Sequence, residues 1–265
     1  MQIYFSTNAV PAERWEHIHD FLDEFNGKVG LEIFPEFHKP YFQQAFLKEK
    51  DYLMNIPCSL HGPYYESEYA VPMDSSLFKN SMSLLKHTLD TLYPIPLAYM
   101  VFHHSNMVIS DDEKAMRLTY ARENYEIVKS MCDSYGIPLA VENVTLKTLS
   151  KGLFTEQEFI TECKRLGCKV LIDIGHCNLS GWNISNVINE LKDQIVSYHI
   201  HNNYGHLDDH FRIYDGTINF DKFLDDYKKY TPNADLVLEY SPVAAKDIVG
   251  VKEDLRLIMK ALRIL

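Results

Sequence analysis

Short apolar runs rich in β-branched and aromatic residues alternate, to the end of the chain, with longer stretches of helical periodicity. Strands are predicted over Ile3–Ser6, Gly30–Phe34, Cys58–His61, Ala98–His103, Leu139–Glu142, Val170–Asp173, Ile195–His199 and Leu236–Glu239. Amphipathic helices are predicted near residues 11–25, 40–50, 76–92, 111–135, 155–166, 184–192, 219–229 and 245–263. Ser110-Asp-Asp-Glu113 and Thr155-Glu-Gln-Glu158 both match a capping box, in which hydroxyl and carboxylate each satisfy an orphan N–H, and Asn219 fits an N-cap. Nearly continuous apolar strands, each followed by a helix, indicate a parallel sheet covered by helices. Eight such units close into a (β/α)8 barrel. A doubly wound open sheet is the alternative, weakened because no Gly-x-Gly-x-x-Gly follows the first strand. No Pro- or Gly-rich stretch divides the chain, so residues 1–265 are taken as one α/β domain. The longest irregular stretch, Gly62–Leu77 with Tyr64, Tyr65 and Tyr69, is either a lid or pocket wall or a surface loop with aromatics packed on it.

Composition narrows the function classes. The chain has 265 residues, 46 % of them hydrophobic, enough for one large core, and a formal net charge of −11. An acidic chain repels phosphate backbones at long range, which weighs against broad nucleic-acid binding but leaves room for a local basic groove. The chain enters a strand pattern at Met1–Phe5 with no charged leader or apolar signal region, and no apolar run approaches a membrane span. The five cysteines are odd in number and widely spread, without the paired spacing of a zinc ribbon. Reduced thiols, a cytoplasmic location and no membrane association are the expectations.

The ionisable residues carry the chemistry. His61, His103, Glu142, Asp173, His199 and Glu239 end six of the eight predicted strands. In barrel enzymes the C-terminal strand ends build the active site. The segment Ser197–His210 adds His201, Asp208 and His210 and holds four of the chain's twelve histidines. Buried charges are costly unless paired or bound to metal, so a convergent ring of carboxylates and imidazoles calls for a cation. Mixed Asp/Glu/His ligation without thiolate suits Zn, Mn, Fe, Co or Mg, and no organic cofactor is expected. His17, His19, His38 and His87 fall on predicted helices or loops as surface or packing residues. Strand alternation turns His104 away from the face of His103 and puts His201 on the face of His199.

Val-Glu142-Asn, Ile-Asp173-Ile-Gly-His176, His199-Ile-His-Asn-Asn, Asp208-Asp-His210 and Leu-Glu239-Tyr, in that order, resemble the xylose-isomerase-like barrel superfamily. That superfamily includes sugar isomerases, epimerases, related dehydratases and the endonuclease IV type of apurinic-site nuclease. In its epimerase and isomerase branch the resemblance implies one divalent metal held by Glu142, Asp173, His199 and Glu239. The two glutamates would double as acid and base on a carbohydrate, with proton transfer through a metal-stabilised enediolate. His61, His176 and His201 would contact the substrate; Arg212, the nearest cation to the metal loop, is either a handle for a phosphate or a surface residue. In the nuclease branch it implies three zinc ions, with His61, His103, His176, Asp208 and His210 as additional ligands. Nuclease relatives read His-Leu-Asn-Asp after the seventh strand, where this chain has Asn202 and Asn203. They also carry a Gly-x-Gly turn, of which Ile213-Tyr-Asp-Gly216 keeps the second glycine. The loops show no clustered Arg and Lys for gripping a duplex. A Glu-x-Lys pair, expected of xylose isomerase itself, does not follow Glu142. The reading is therefore a metal-dependent isomerase or epimerase of a sugar, sugar phosphate or related keto-polyol, with an endonuclease IV-like phosphodiesterase as the alternative and a non-catalytic binding barrel as the third.

Overall fold

A computed structural model of the chain describes residues 1–144 and 152–264. Eight strands are formed: β1 (Ile3–Ser6), β2 (Val29–Ile33), β3 (Cys58–His61), β4 (Leu97–Phe102), β5 (Leu139–Glu142), β6 (Lys169–Asp173), β7 (Ile195–Ile200) and β8 (Asp235–Leu238). All pair in parallel and in sequence order, and β8 returns to β1, so the sheet is a closed barrel rather than an open one. Around it lie α1 (Ile18–Leu22), α2 (Phe42–Leu53), α3 (Ser76–Leu92), α4 (Asp111–Ser134), α5 (Glu156–Leu166), α6 (Ile174–Leu179), α7 (Ile184–Leu191), α8 (Phe220–Tyr230) and α9 (Ile248–Ala261). None among the described residues is long and apolar enough to cross a membrane.

The pleat explains where the site must be. A main core fills the space between strands and helices, while Tyr4, Tyr99, Val101, Ala140, Leu171 and Val237 form a separate buried cluster. Two residues beyond four of these, on the same face of their strands, lie His103, Glu142, Asp173 and Glu239. The bottom of the interior is thus plugged by apolar side chains and the top is ionisable.

The element predictions hold within three residues at each end, with instructive exceptions. Residues 11–25 are not one helix but two 3-10 segments, Ala12–His17 and Asp23–Phe25, flanking the single turn α1, with Arg14 outside helical geometry. The buried positions Ala12, Trp15, Ile18 and Phe21 recur every third residue, a spacing that aligns on a 3-10 helix rather than an α-helix. The short helix α6 went unpredicted; it starts because the Asp173 carboxylate caps the His176 N–H at 2.7 Å. Ser110 does not close a capping box, since its hydroxyl donates to the Glu113 carboxylate instead. The loop Gly62–Leu77 is a pinned wall, not a lid. Buried Glu68 accepts from Ser105 Oγ and Asn106 N of the next loop, and Asn124 of α4 donates to the Tyr69 and Val71 carbonyls.

The predicted capping box at Thr155 is present in full, its side chain bonding the Glu158 N–H while Glu158 reaches back to the Thr155 N–H at 2.7 Å. Thr155→Ala should lower stability by about 1 kcal/mol, read as a lower urea midpoint with an unchanged slope.

Candidate metal centre

Glu142, at the end of β5, lies at the middle of the site. Its Oε2 is 2.7 Å from His103 Nε2 and 3.9 Å from His61 Nε2. Its Oε1 is 3.2 Å from His176 Nδ1 and 3.3 Å from His199 Nδ1. His199 Nδ1 also lies 3.2 Å from Glu239 Oε2 and 3.7 Å from Asp173 Oδ2. Strands β5, β6, β7 and β8 thereby bring Glu142, Asp173, His199 and Glu239 around one point. Nearby, Asp208 Oδ2 is 3.4 Å from His176 Nε2 and 3.1 Å from His210 Nε2. Every one of the nine candidate ligands is at least largely buried, and His199 is fully so.

Tautomers fixed by the scaffold decide whether a cation fits. His61 Nδ1–H donates to the Gly62 carbonyl, His176 Nδ1–H to that of Asn143 and His210 Nδ1–H to that of Glu239, at 2.8, 2.9 and 2.7 Å. His103 Nδ1–H donates to Asn106 Oδ1, whose amide nitrogen is committed to carbonyls. A carbonyl can only accept, so each ring turns Nε2 toward the site, where a carboxylate oxygen faces it. Two acceptors in contact repel unless a proton or cation lies between them. Asp208 Oδ1 and His201 Nδ1 are moreover buried with no partner among the described residues. Donor atoms within 4.8 Å of one another form several groups, among them Glu142, Asp173 and His199; His61, His103 and Glu142; and His176, His201, Asp208 and His210. Oxygen and imidazole donors in such groups fit a divalent ion.

Without a cation, protons take its place unevenly. Burial, aided by Glu142 and Asp173, outweighs the attraction of His199 and His210 and pushes the Glu239 carboxyl up to about 7. Burial acts the same way on Glu142, but there the imidazoles of His103 and His199 prevail and hold it well below the usual range. Burial opposes charging His210, yet the adjacent Asp208 raises it to about 9. Burial and the neighbouring His103 push His61 down to about 3.

The surrounding loop is braced rather than free. Asn202 Oδ1 accepts from the Ile218 N–H, Asn202 Nδ2 donates to the Ile213 carbonyl, and Asn203 Nδ2 donates to the Gly175 carbonyl. These asparagines therefore tie the β7 loop across the barrel mouth. A Cβ at Gly216 would overlap Asn202 Oδ1, and one at Gly175 would overlap the His201 ring. His210 itself sits at φ 50°, a left-handed conformation that costs a side-chain-bearing residue on the order of 1 kcal/mol and is typical of functional positions.

Of the sequence-predicted site residues, the metal candidates other than Asp173 and His199 line a cavity of about 210 Å³ with Asn8, Phe34, Tyr64 and Tyr65, and the predicted substrate contact His201 does not. His201 lies beneath it, its Nε2 3.0 Å from Asp173 Oδ2 and its ring stacked on His210. Arg212 corrects the expectation of a phosphate handle. Its guanidinium is spent on Asp254 at 2.8 Å, Asp247 at 2.6 Å and the Gly250 carbonyl, anchoring the β7 loop to α9. His104 points outward among Phe102, Tyr125 and Phe154, as alternation required, and His206 is exposed. A wider hollow of about 640 Å³ over Phe154 and Trp182 contains none of these donors. Sequence reading missed Glu32, whose buried carboxylate meets His199 from β2. Its signal was a lone charge between Leu31 and Ile33 in an apolar strand.

With barrel and donor set in view, the comparison with known families is decisive. Residues 26–261 match the model of the xylose isomerase-like TIM barrel. The chain belongs to that family. An uncharacterized protein of Methanocaldococcus jannaschii is 28 % identical over 189 residues, which are 69 % of this chain and 70 % of that one. Among solved structures, a D-tagatose 3-epimerase-like protein superposes with a TM-score of 0.79 at 19 % identity, covering 99 % of this chain and 98 % of the other. The IOLI protein with a bound zinc atom superposes with a TM-score of 0.74 at 15 % identity, again over 99 % and 98 %. At such identities the likeness to this xylose isomerase-like barrel is one of fold.

The proton affinities predict the pH response. In the metal-free protein His210 keeps its proton up to about 9, above the ordinary 6.5, so the unfolded chain holds fewer protons in that window. Stability must then fall as pH rises from about 7 to 9. Below pH 6.5 the sign reverses, because His61 and His104 are held down to about 3 and about 4 and must take up protons on unfolding. Glu239 at about 7 and the burial-raised carboxyls of Glu68 and Asp235 oppose this, but His201 is also held down and neighbouring imidazoles hold Glu142, Asp173 and Asp208 below the usual carboxylate range, so the net sign stands. Urea midpoints measured in a chelator should therefore peak near neutrality. Saturating divalent metal should remove the alkaline decline, since deprotonated donors then bind the ion in the folded state alone.

Proposed function

We propose that the chain is a divalent-metal-dependent isomerase or epimerase of a sugar or related keto-polyol. One observation carries the reading: Glu142 and Glu239 approach His199 Nδ1 from different strands, at 3.3 and 3.2 Å, with proton affinities pushed apart. Pairs of carboxylates separated in this way are what acid/base chemistry near neutrality needs.

Glu142, Asp173, His199 and Glu239 would hold the cation, which supplies Lewis acidity toward a carbonyl and its neighbouring hydroxyl. Ionised Glu142 takes the proton from the carbon beside the carbonyl, the C–H electron pair moving into the enediolate. Protonated Glu239 returns a proton to carbon, and the exchange of roles between them runs the reverse reaction. His61, neutral and with Nδ1–H committed to a backbone carbonyl, accepts a substrate hydroxyl through Nε2, whereas His176, held protonated by Asp173 and Asp208, donates to one through Nε2–H. Phe34, Tyr64 and Tyr65 form the apolar side of the pocket and exclude water from the exchanging proton.

A keto-hexose incubated in D2O with enzyme and divalent metal should gain deuterium at the carbon beside its carbonyl, followed by proton NMR. Glu239→Gln should slow that exchange by about 10²-fold or more with the circular dichroism spectrum unchanged. Near-normal exchange in the variant sinks the assignment.

A second reading, a metal-dependent phosphodiesterase of the endonuclease IV kind, is favoured by the two further donor groups around His61 and His103 and around Asp208, where Nε2 atoms face carboxylate oxygens. Elemental analysis separates the two. One ion per chain supports the isomerase, whereas about three ions together with cleavage of an abasic duplex support the nuclease.

A further inference from the structure

Glu32 does not sit at a strand end, yet it is fully buried inside the barrel mouth. A carboxylate sealed from water is strongly unfavourable unless its oxygens are matched. Both are: Oε1 accepts from His199 Nε2–H at 2.8 Å and Oε2 accepts from Ser59 Oγ at 3.2 Å. Parallel register supplies these partners, pairing Glu32 with Ser59 across β2 and β3.

The orientation of His199 is the reverse of its neighbours'. His61, His103, His176 and His210 donate through Nδ1 and present Nε2 to the site. His199 donates through Nε2 to Glu32 and presents Nδ1, which lies 3.3, 3.2 and 3.7 Å from oxygens of Glu142, Glu239 and Asp173. Among the described residues no backbone carbonyl holds this ring. We infer that Glu32 is a positioning residue, which locks His199 in the Nε2–H form so that Nδ1 is its ligand atom. The inference rests on the metal reading above. A carboxylate on the distal nitrogen of a ligand imidazole fixes the ring and raises its basicity, and losing one weakens metal binding by about 10–100-fold.

The test uses the full chain, with Zn²⁺ titrated against a competing chelator and with the His199 Nε2–H proton followed by ¹⁵N-edited NMR. Wild-type protein should show that proton far downfield and slowly exchanging, with or without Zn²⁺. Glu32→Ala should lose the resonance and bind Zn²⁺ about 10–100-fold more weakly. Glu32→Gln, which keeps an acceptor oxygen and the side-chain volume, should keep the resonance at reduced downfield shift and bind with intermediate affinity. Glu32→Ala that folds and binds Zn²⁺ as tightly as wild type overturns the inference. So does Glu32→Gln with both affinity and chemical shift unchanged, which decides the matter even where the alanine variant does not fold. A wild-type chain that binds no Zn²⁺ overturns the metal reading instead, while the resonance in the metal-free variants still judges the contact between Glu32 and His199.

Discussion

One carboxylate organises the mouth of this barrel. Glu142 lies within 3.9 Å of four imidazoles drawn from β3, the β4 loop, α6 and β7. In a water-poor interior its charge interacts far more strongly than at a surface. That interaction fixes what the neighbouring strands can present. Replacing any one of the four rings leaves the carboxylate less compensated, so the strand ends form a single electrostatic unit rather than independent positions. The apolar layer beneath, from Tyr4 to Val237, makes the arrangement possible by closing the barrel to water from below.

Rigidity at the site comes from outside the ligand set. Backbone carbonyls of Gly62, Asn143 and Glu239 set the tautomers of three histidines, and Asn106 sets a fourth. Asn106 is in turn held by Glu68 of the preceding loop through its backbone N–H. The β7 loop is tied from both sides, by Asn202 and Asn203 within the mouth and by Arg212 against Asp254 of α9. This bracing holds His210 in its left-handed conformation. Preorganised rings present lone pairs to a cation without reorganising on binding.

The strand ends were legible in the sequence because an ionisable residue closing an apolar run is conspicuous and the pleat assigns its face. His103, Glu142, Asp173 and Glu239 were found in this way, and the same alternation sent His104 outward. Glu32 escaped because it lies within its run, where its partner His199 is 167 residues away and no local pattern reveals it. Arg212 misled for the opposite reason. It is two residues from His210 in the chain, but nearness in sequence does not give direction, and Asp247 and Asp254 on the far side claim it. Residues 11–25 read as an α-helix because a spacing of three falls within the tolerance of the 3.6-residue period, and only packing against the barrel shows which repeat is used.

Charge balance links the number of protons in the mouth to the number of metal ions. Glu32, Glu142, Asp173, Asp208 and Glu239 bring five carboxylates together. One divalent ion, with Glu239 protonated, leaves two negative charges. The imidazolium forms of His176 and His210 on either side of Asp208 neutralise them, in keeping with the upward shifts of both rings. More ions would displace those same protons, because a ring nitrogen cannot hold a proton and a metal together. A mouth with three ions and five ionised carboxylates carries one net positive charge and suits an anionic phosphodiester. A mouth with one ion and two imidazolium rings is neutral and suits a neutral polyol. Substrate charge thus follows from whether His176 and His210 hold protons or metal.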